Sequence, residues 1–336
     1  MGAWAPEVRQ RTVATNGVEL DVFEAGEGFP VILAHGFPEL AYSWRHQLPA
    51  LAAAGFRAVA PDQRGYGGSS RPQRIEDYDL EHLSGDLLGL LDDLGEDKAV
   101  FVGHDWGAIL VWQLALLAPE RVAGVCAMSV PFVPRASAPP TELWRKIYGD
   151  QFFYILYFQQ PEVADADLGR DPATTMRRLL CGLRAADPEG LTGQDERGFV
   201  DRVAEPEALP SWLTQDELDV YAREFGRTGF TGAINWYRNF DRNWRQTEHL
   251  AGAKVHVPSM FIGGTLDPVL TMSPPSKQDK WLTDHRGTVL VEGAGHWVQQ
   301  ENPGEVNPPL LQFCNDIRTS STARQAGGTI GTDEEG

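Results

Sequence analysis

Ala99-Val100-Phe101-Val102-Gly103-His104-Asp105-Trp106-Gly107 reads as an apolar strand running into a sharp turn, and Ala108-Ile109-Leu110-Val111-Trp112-Gln113-Leu114-Ala115 continues it as a helix. Gly103 and Gly107 flank Asp105 at two positions on either side, which lets a strained turn lift that one side chain above a sheet. The position normally holds a serine; here it holds an acid, and the chemistry changes with it. A carboxylate that attacks a saturated carbon forms an ester between protein and substrate, which water then cleaves. The stretch points to displacement at an sp3 carbon rather than to peptide or ester hydrolysis.

Working outward, buried-strand patterns recur at Val31-Ile32-Leu33-Ala34, Arg57-Ala58-Val59-Ala60 and Val122 to Val130, and Val18 to Phe23 alternates like a half-exposed strand. Leu48 to Ala54 reads as a short helix. Leu80 to Leu94 repeats leucine at helical spacing and stops at Gly95. Strands alternating with helices imply a doubly wound, mostly parallel sheet. From about Pro134 to Leu250 the alternation gives way to helical, aromatic and charged sequence such as Gln215 to Phe225. It resumes at Val255 to Ile262 and Thr288 to Val291. The expected organisation is therefore a core of residues 1–133 and 251–317, a helical cap of residues 134–250, and a disordered tail of residues 318–336 rich in Ser, Thr, Gly and acid.

Composition narrows the partners. The 336 residues carry a formal net charge of −18, which disfavours nucleic acid and anionic membrane surfaces. No apolar leader opens the chain, and Ala99 to Ala118 is interrupted by His104 and Asp105, so neither a secretory signal nor a membrane span is expected. A cytoplasmic protein is the expectation, with a homodimer left open. Cys126, Cys181 and Cys314 have unrelated spacings, and His35, His46 and His82 lack ligand spacing, so neither a disulfide framework nor a metal is expected. Gly65-Tyr66-Gly67-Gly68 lacks the third glycine of a dinucleotide loop, and no cofactor is expected.

A nucleophile at such a turn needs an acid and a histidine later in the chain. Asp267 follows the strand ending at Ile262, and His296 follows the one ending near Val291, so all three fall beyond the carboxyl ends of strands. His296 would activate water and Asp267 would fix its tautomer, with capping before Pro268 as the alternative for Asp267. Asp284 and Glu292 are less well placed for that role. The loop His35-Gly36-Phe37-Pro38 also follows an early strand, and the backbone amides of Phe37 and Trp106 are the expected oxyanion donors. Strand alternation turns His104 away from the site, which makes it structural.

With these residues in place the chain resembles the α/β-hydrolase-fold epoxide hydrolases, bacterial and particularly actinobacterial ones. The resemblance spans about residues 10 to 317. It rests on His35-Gly36-Phe37-Pro38-Glu39, Asp62-Gln63-Arg64-Gly65-Tyr66-Gly67, Gly103-His104-Asp105-Trp106-Gly107, Tyr154-Ile155-Leu156-Tyr157-Phe158-Gln159, Asn235-Trp236-Tyr237-Arg238-Asn239 and Gly295-His296-Trp297. It implies the α/β-hydrolase fold with an inserted helical cap, a small apolar epoxide as substrate, and a cis peptide before Pro38. It also implies that Tyr154 and Tyr237 hold the epoxide oxygen; Tyr157 is the nearest competitor, and plain core packing is the structural alternative. Chemistry supports the phenols independently. An epoxide leaves as an alkoxide that needs a proton donor, and a phenol of pKa about 10 stays protonated at neutral pH. A halide needs no proton, so two tyrosines favour epoxide opening over a haloalkane or haloacid dehalogenase on the same nucleophile. A non-catalytic ligand-binding member of the fold is the remaining alternative.

Overall fold

The central strand of the sheet is the one that carries the quoted stretch. In the computed structural model, which describes residues 4–183 and 190–328, β5 (Ala99–His104) is buried along its whole length. It pairs in parallel with β3 (Phe29–Ala34) on one side and β6 (Val122–Met128) on the other. Beyond β3 lie β4 (Phe56–Asp62), β2 (Val18–Ala25) and β1 (Arg9–Thr15); beyond β6 lie β9 (Ser259–Gly264) and β10 (His285–Val291). The order β1-β2-β4-β3-β5-β6-β9-β10 is parallel except where β2 joins β1 and β4. A two-residue pair, β7 (Phe152–Phe153) with β8 (Thr192–Gly193), stands apart.

Side-chain alternation sorts β5 into two cores. Phe101 packs with α2 (Leu80–Asp93) and α3 (Trp106–Leu117) on one face. Val100 and Val102 pack with α1 (Gln47–Ala53) and α14 (Pro303–Gly328) on the other. Both faces are covered, so parallel strands read as apolar runs. The parity puts His104 with Val100 and Val102, on the side opposite α3, as alternation requires.

Between β6 and β9 the described residues form the α-helices α4 (Pro140–Tyr148), α5 (Tyr154–Phe158), α6 (Val163–Gly169), α7 (Pro172–Gly182), α8 (Phe199–Arg202), α9 (Gln215–Thr228), α10 (Thr231–Arg238) and α11 (Phe240–Gln246). This insertion is seated on the core by polar contacts: Trp236 Nε1 donates to Arg64 O (3.1 Å) and Asn239 Nδ2 to Ile75 O (2.6 Å). Arg238 and Arg242 are ion-paired with Asp165 and Asp79.

Two local differences have physical causes. The expected strand from Val255 begins only at Ser259, because Pro258 has no N–H for the ladder; Val255 makes an isolated bridge to Leu282 instead. The last helix carries past residue 318 to Gly328, where the sequence reading places a tail; Thr319 and Ser320 hydroxyls bond back to the carbonyls of Asn315 and Asp316. Residues 329–336 lie outside the described residues. No helix of the described residues is long and apolar enough to cross a membrane.

Candidate active site

Asp105 sits between β5 and α3 with φ 52° and ψ −117°, a conformation that costs an L residue on the order of 1–3 kcal/mol and that clusters at functional sites. The glycines around it are there for space. A Cβ on Gly107 would lie 1.9 Å from Ala34 O, and one on Gly103 would lie 2.2 Å from Gly107 O. Strand β3 and the turn therefore approach backbone to backbone. That brings Phe37, just beyond β3, close enough for its N–H to donate to Asp105 Oδ1 at 2.8 Å. The Phe37-Pro38 bond is cis. His35 shapes the loop, with Nε2 accepting from Gln63 N (3.0 Å) and Nδ1 donating to Gly36 O (3.0 Å). Trp106 opens α3, where first-turn amides lack helical acceptors, and its indole packs on Tyr237.

The loops after β9 and β10 bring the other two residues to the same place. His296 Nε2 lies 3.5 Å from Asp105 Oδ2, and Nδ1 lies 3.0 Å from each carboxylate oxygen of Asp267. The expected acid and the competing cap turn out to be one residue: Asp267 Oδ1 also accepts from Val269 N at 2.8 Å, capping α12 (Pro268–Met272). Asp284 is occupied by Arg286 at the surface, and Glu292 is exposed. Burial disfavours the His296 imidazolium, but Asp267 and Asp105 outweigh it and hold its pKa well above the ordinary value.

Tyr154 and Tyr237 come from α5 and α10, with ring centroids 6.0 Å apart. Both line a cavity with Asp105, His296 and Phe37 that is walled by Leu179, Phe199 and Trp297. Burial first, and then the negative charge of Asp105, raise both phenol pKa values, so both hydroxyls stay protonated. Tyr157 instead turns its hydroxyl to Asp167 Oδ2 at 3.3 Å. Gln159 Nε2 donates to Tyr237 O (3.0 Å) and Arg238 Nε to Phe158 O (3.1 Å), tying the two tyrosine helices together. The cavity is small and lined largely by apolar side chains.

Under the site lies a polar cluster that sequence reasoning did not assemble. Glu39 is fully buried and accepts four hydrogen bonds: from Gly36 N (2.8 Å), His104 Nδ1 (2.6 Å), Gln299 Nε2 (2.9 Å) and Gln300 Nε2 (3.1 Å). The other nitrogen of His104, Nε2, donates to His296 O at 2.7 Å, and Ser129 Oγ donates to the same oxygen at 2.7 Å. His104 is thus structural, as alternation indicates, and it joins the Phe37 loop to the His296 loop. The presence of Glu39 in the quoted motif was the only sequence signal; its side-chain partners are about 65 and 260 residues away.

Burial raises the Glu39 pKa, but His104 and the Gly36 amide overcome that and bring it down to about 2. A carboxyl depressed in the folded state stabilises the fold above its ordinary pKa of 4.5 and loses that contribution as pH falls toward 2. Urea titrations of wild type and Glu39→Gln from pH 7 to 2.5 should therefore converge. The variant starts less stable by about 3 kcal/mol at pH 7 and shows the shallower acid loss. Parallel curves would show that Glu39 does not carry the effect.

The α/β-hydrolase fold family matches residues 30–303. "Epoxide hydrolase A" of Mycobacterium tuberculosis (strain ATCC 25618 / H37Rv) is 58% identical over 314 residues, covering 92% of this chain and 98% of that protein. "Epoxide hydrolase 1" of Siraitia grosvenorii is 41% identical, covering 93% and 99%. The crystal structure of Epoxide Hydrolase A from Mycobacterium thermoresistibile superposes with a TM-score of 0.89 at 57% identity, covering 92% of this chain and 98% of that one. Fold and site define an enzyme of the α/β-hydrolase class. The chain belongs to the epoxide hydrolases of that fold.

Proposed function

We propose that this enzyme opens a small apolar epoxide with water to give a vicinal diol, by way of an ester on Asp105. The observation that carries the reading is the convergence of a partly buried carboxylate nucleophile, an imidazole and two protonated phenols on one apolar cavity. Asp105 Oδ2 attacks a ring carbon and the ring C–O bond breaks while the Tyr154 and Tyr237 hydroxyls donate to the departing oxygen; that oxygen ends as an alcohol, and the proton His296 gives up replaces the one lost from the phenol. The new ester is neutral, so His296 loses one of the two charges that raised its pKa and releases its proton more readily. Neutral His296, oriented by Asp267, takes a proton from water as the water attacks the ester carbonyl. Phe37 N–H, already 2.8 Å from Asp105 Oδ1, and Trp106 N–H support the oxyanion until the C–O bond of the ester breaks; the His296 imidazolium protonates the departing oxygen, and the new Asp105 carboxyl gives its proton back to His296.

Among the described residues the lining offers no lysine or arginine, which favours neutral apolar epoxides over anionic ones. Tyr237→Phe and Tyr154→Phe should each lower diol formation from a simple aryl epoxide by about 10- to 100-fold, and the double variant by more. The phenols matter little if a halide is the leaving group. Halide release from a chloroalkane, undiminished in Tyr237→Phe and without diol from any epoxide, would replace the epoxide reading with the dehalogenase one.

A further inference from the structure

Gln300 lies four residues beyond His296 on α13 (Val298–Glu301), and its amide is clamped between groups of opposite character. Its Nε2 donates to Glu39 Oε1 at 3.1 Å, while its Oε1 accepts from Arg45 Nη1 (2.7 Å) and from Tyr221 OH (2.9 Å). A primary amide has one donor end and one acceptor end. A carboxylate on one side, with a guanidinium and a phenol on the other, therefore allows a single orientation. Ser43 Oγ donates to Tyr221 OH at 2.9 Å, which directs the phenol's own hydrogen to Gln300. Arg45 is held from behind by Glu217 Oε1 at 2.7 Å, and its side chain is 6% exposed. Glu217 and Tyr221 both belong to α9 of the insertion, whereas Arg45, Gln300 and Glu39 belong to the core.

An unbroken series of hydrogen bonds thus runs from α9 through Arg45, Gln300 and Glu39 to Gly36 N, one residue before the Phe37 amide. We propose that Arg45, Tyr221 and Gln300 are positioning residues that register the Phe37 loop against the ester, so that the seating of α9 sets the rate of ester hydrolysis. This rests on the Asp105 ester reading above. The two half-reactions differ in what they ask of that loop. In the free enzyme Phe37 N–H meets a full carboxylate charge, an attraction that tolerates small displacements. In the tetrahedral intermediate the donor must aim at an oxygen whose charge has only just developed, and misplacement is costly there. Without Arg45 or the Tyr221 hydroxyl, the Gln300 acceptor loses one of its two donors, the amide is held less firmly, and its hydrogen bond to Glu39 weakens.

The test is to measure both half-reactions in Tyr221→Phe, which removes one oxygen, and in Arg45→Met and Arg45→Lys. Rapid quench with intact-mass analysis on an aryl epoxide gives the ester fraction and its decay, with His296→Gln as the trapping control. Ester decay should slow roughly 5- to 30-fold in Tyr221→Phe and Arg45→Met, the steady-state ester fraction should rise, and Arg45→Lys should recover part of the loss. Because only the second step is slowed, kcat and KM should fall together and leave kcat/KM near wild type. Lower Tm with an unchanged ester fraction, or a fall in kcat/KM alone, makes the cluster scaffolding and overturns the proposal; should Arg45→Met not fold, Tyr221→Phe decides. Absence of any ester in His296→Gln overturns this proposal together with the reading beneath it.

Discussion

Replacing Asp105 by Asn should lower diol formation by at least about 10⁴-fold while leaving the fold in place. Single substitutions of a nucleophile that acts as part of a unit cost on this scale, because nothing else in the site forms the bond. The isosteric amide keeps an acceptor for Phe37 N–H, whose 2.8 Å bond is the main local contact of the carboxylate with backbone. The strained φ of 52° belongs to the turn and is imposed by the close approach of Gly107 to Ala34, so it is unchanged by the substitution. Circular dichroism and Tm should therefore stay close to wild type. No mass increment should appear on the peptide containing residue 105 after incubation with epoxide. Retained diol formation would place the nucleophile elsewhere.

His296→Gln should separate the two chemical steps. Ester formation requires an ionised Asp105 and a proton donor for the leaving oxygen, neither of which is the neutral imidazole. Ester hydrolysis requires a base for water, and removing a general base costs about 10²- to 10⁴-fold. The variant should therefore take up one equivalent of epoxide, gain exactly one substrate mass at Asp105, and then nearly stop. Gln is the appropriate replacement because its amide donates to Asp267, whose side chain is fully buried and would otherwise lose its partner. The wild-type pH profile should show the same division. Acid should suppress kcat as His296 of the ester form becomes protonated, with kcat/KM less affected. Stability follows the opposite sign from Glu39. A histidine whose folded pKa is raised contributes fully below its unfolded value of about 6.5 and loses that contribution as pH rises through the folded one. His296→Gln should flatten that stretch of the stability curve. Diol formation at the wild-type rate with no trapped ester would rule out His296 as the base.

Chain-local physics made much of this legible in the sequence. Apolar runs mark β3, β4, β5 and β6 because strands buried on both faces have no polar side to show. The turn at Asp105 is legible because only small residues fit where backbone meets backbone. Order along the chain and position after a strand were enough to single out Asp267 and His296, since an open α/β sheet gathers its strand ends at one edge. Tyr154 and Tyr237 were legible only through resemblance: an aromatic run looks the same whether its rings fill a core or line a cavity.

Tertiary structure alone decided the rest. That Tyr154 and not Tyr157 faces Asp105 depends on which turn of α5 meets α10, a matter of helix packing with no local signature. That Asp267 both caps α12 and pairs with His296 could not be divided from sequence, because one carboxylate serves a bond two residues away and another 29 residues away. The buried chain from Glu217 to His104 joins residues from α9, α13, β5 and the loop after β3. Each is an unremarkable polar residue in its own segment, and packing them together is what fixes their orientation. The sequence by itself determined the sheet, the turn and the candidates for the reacting groups, because those follow from local sterics and strand order. The fold decided which phenols and amides reach them, because those contacts exist only once distant segments share a low-dielectric interior.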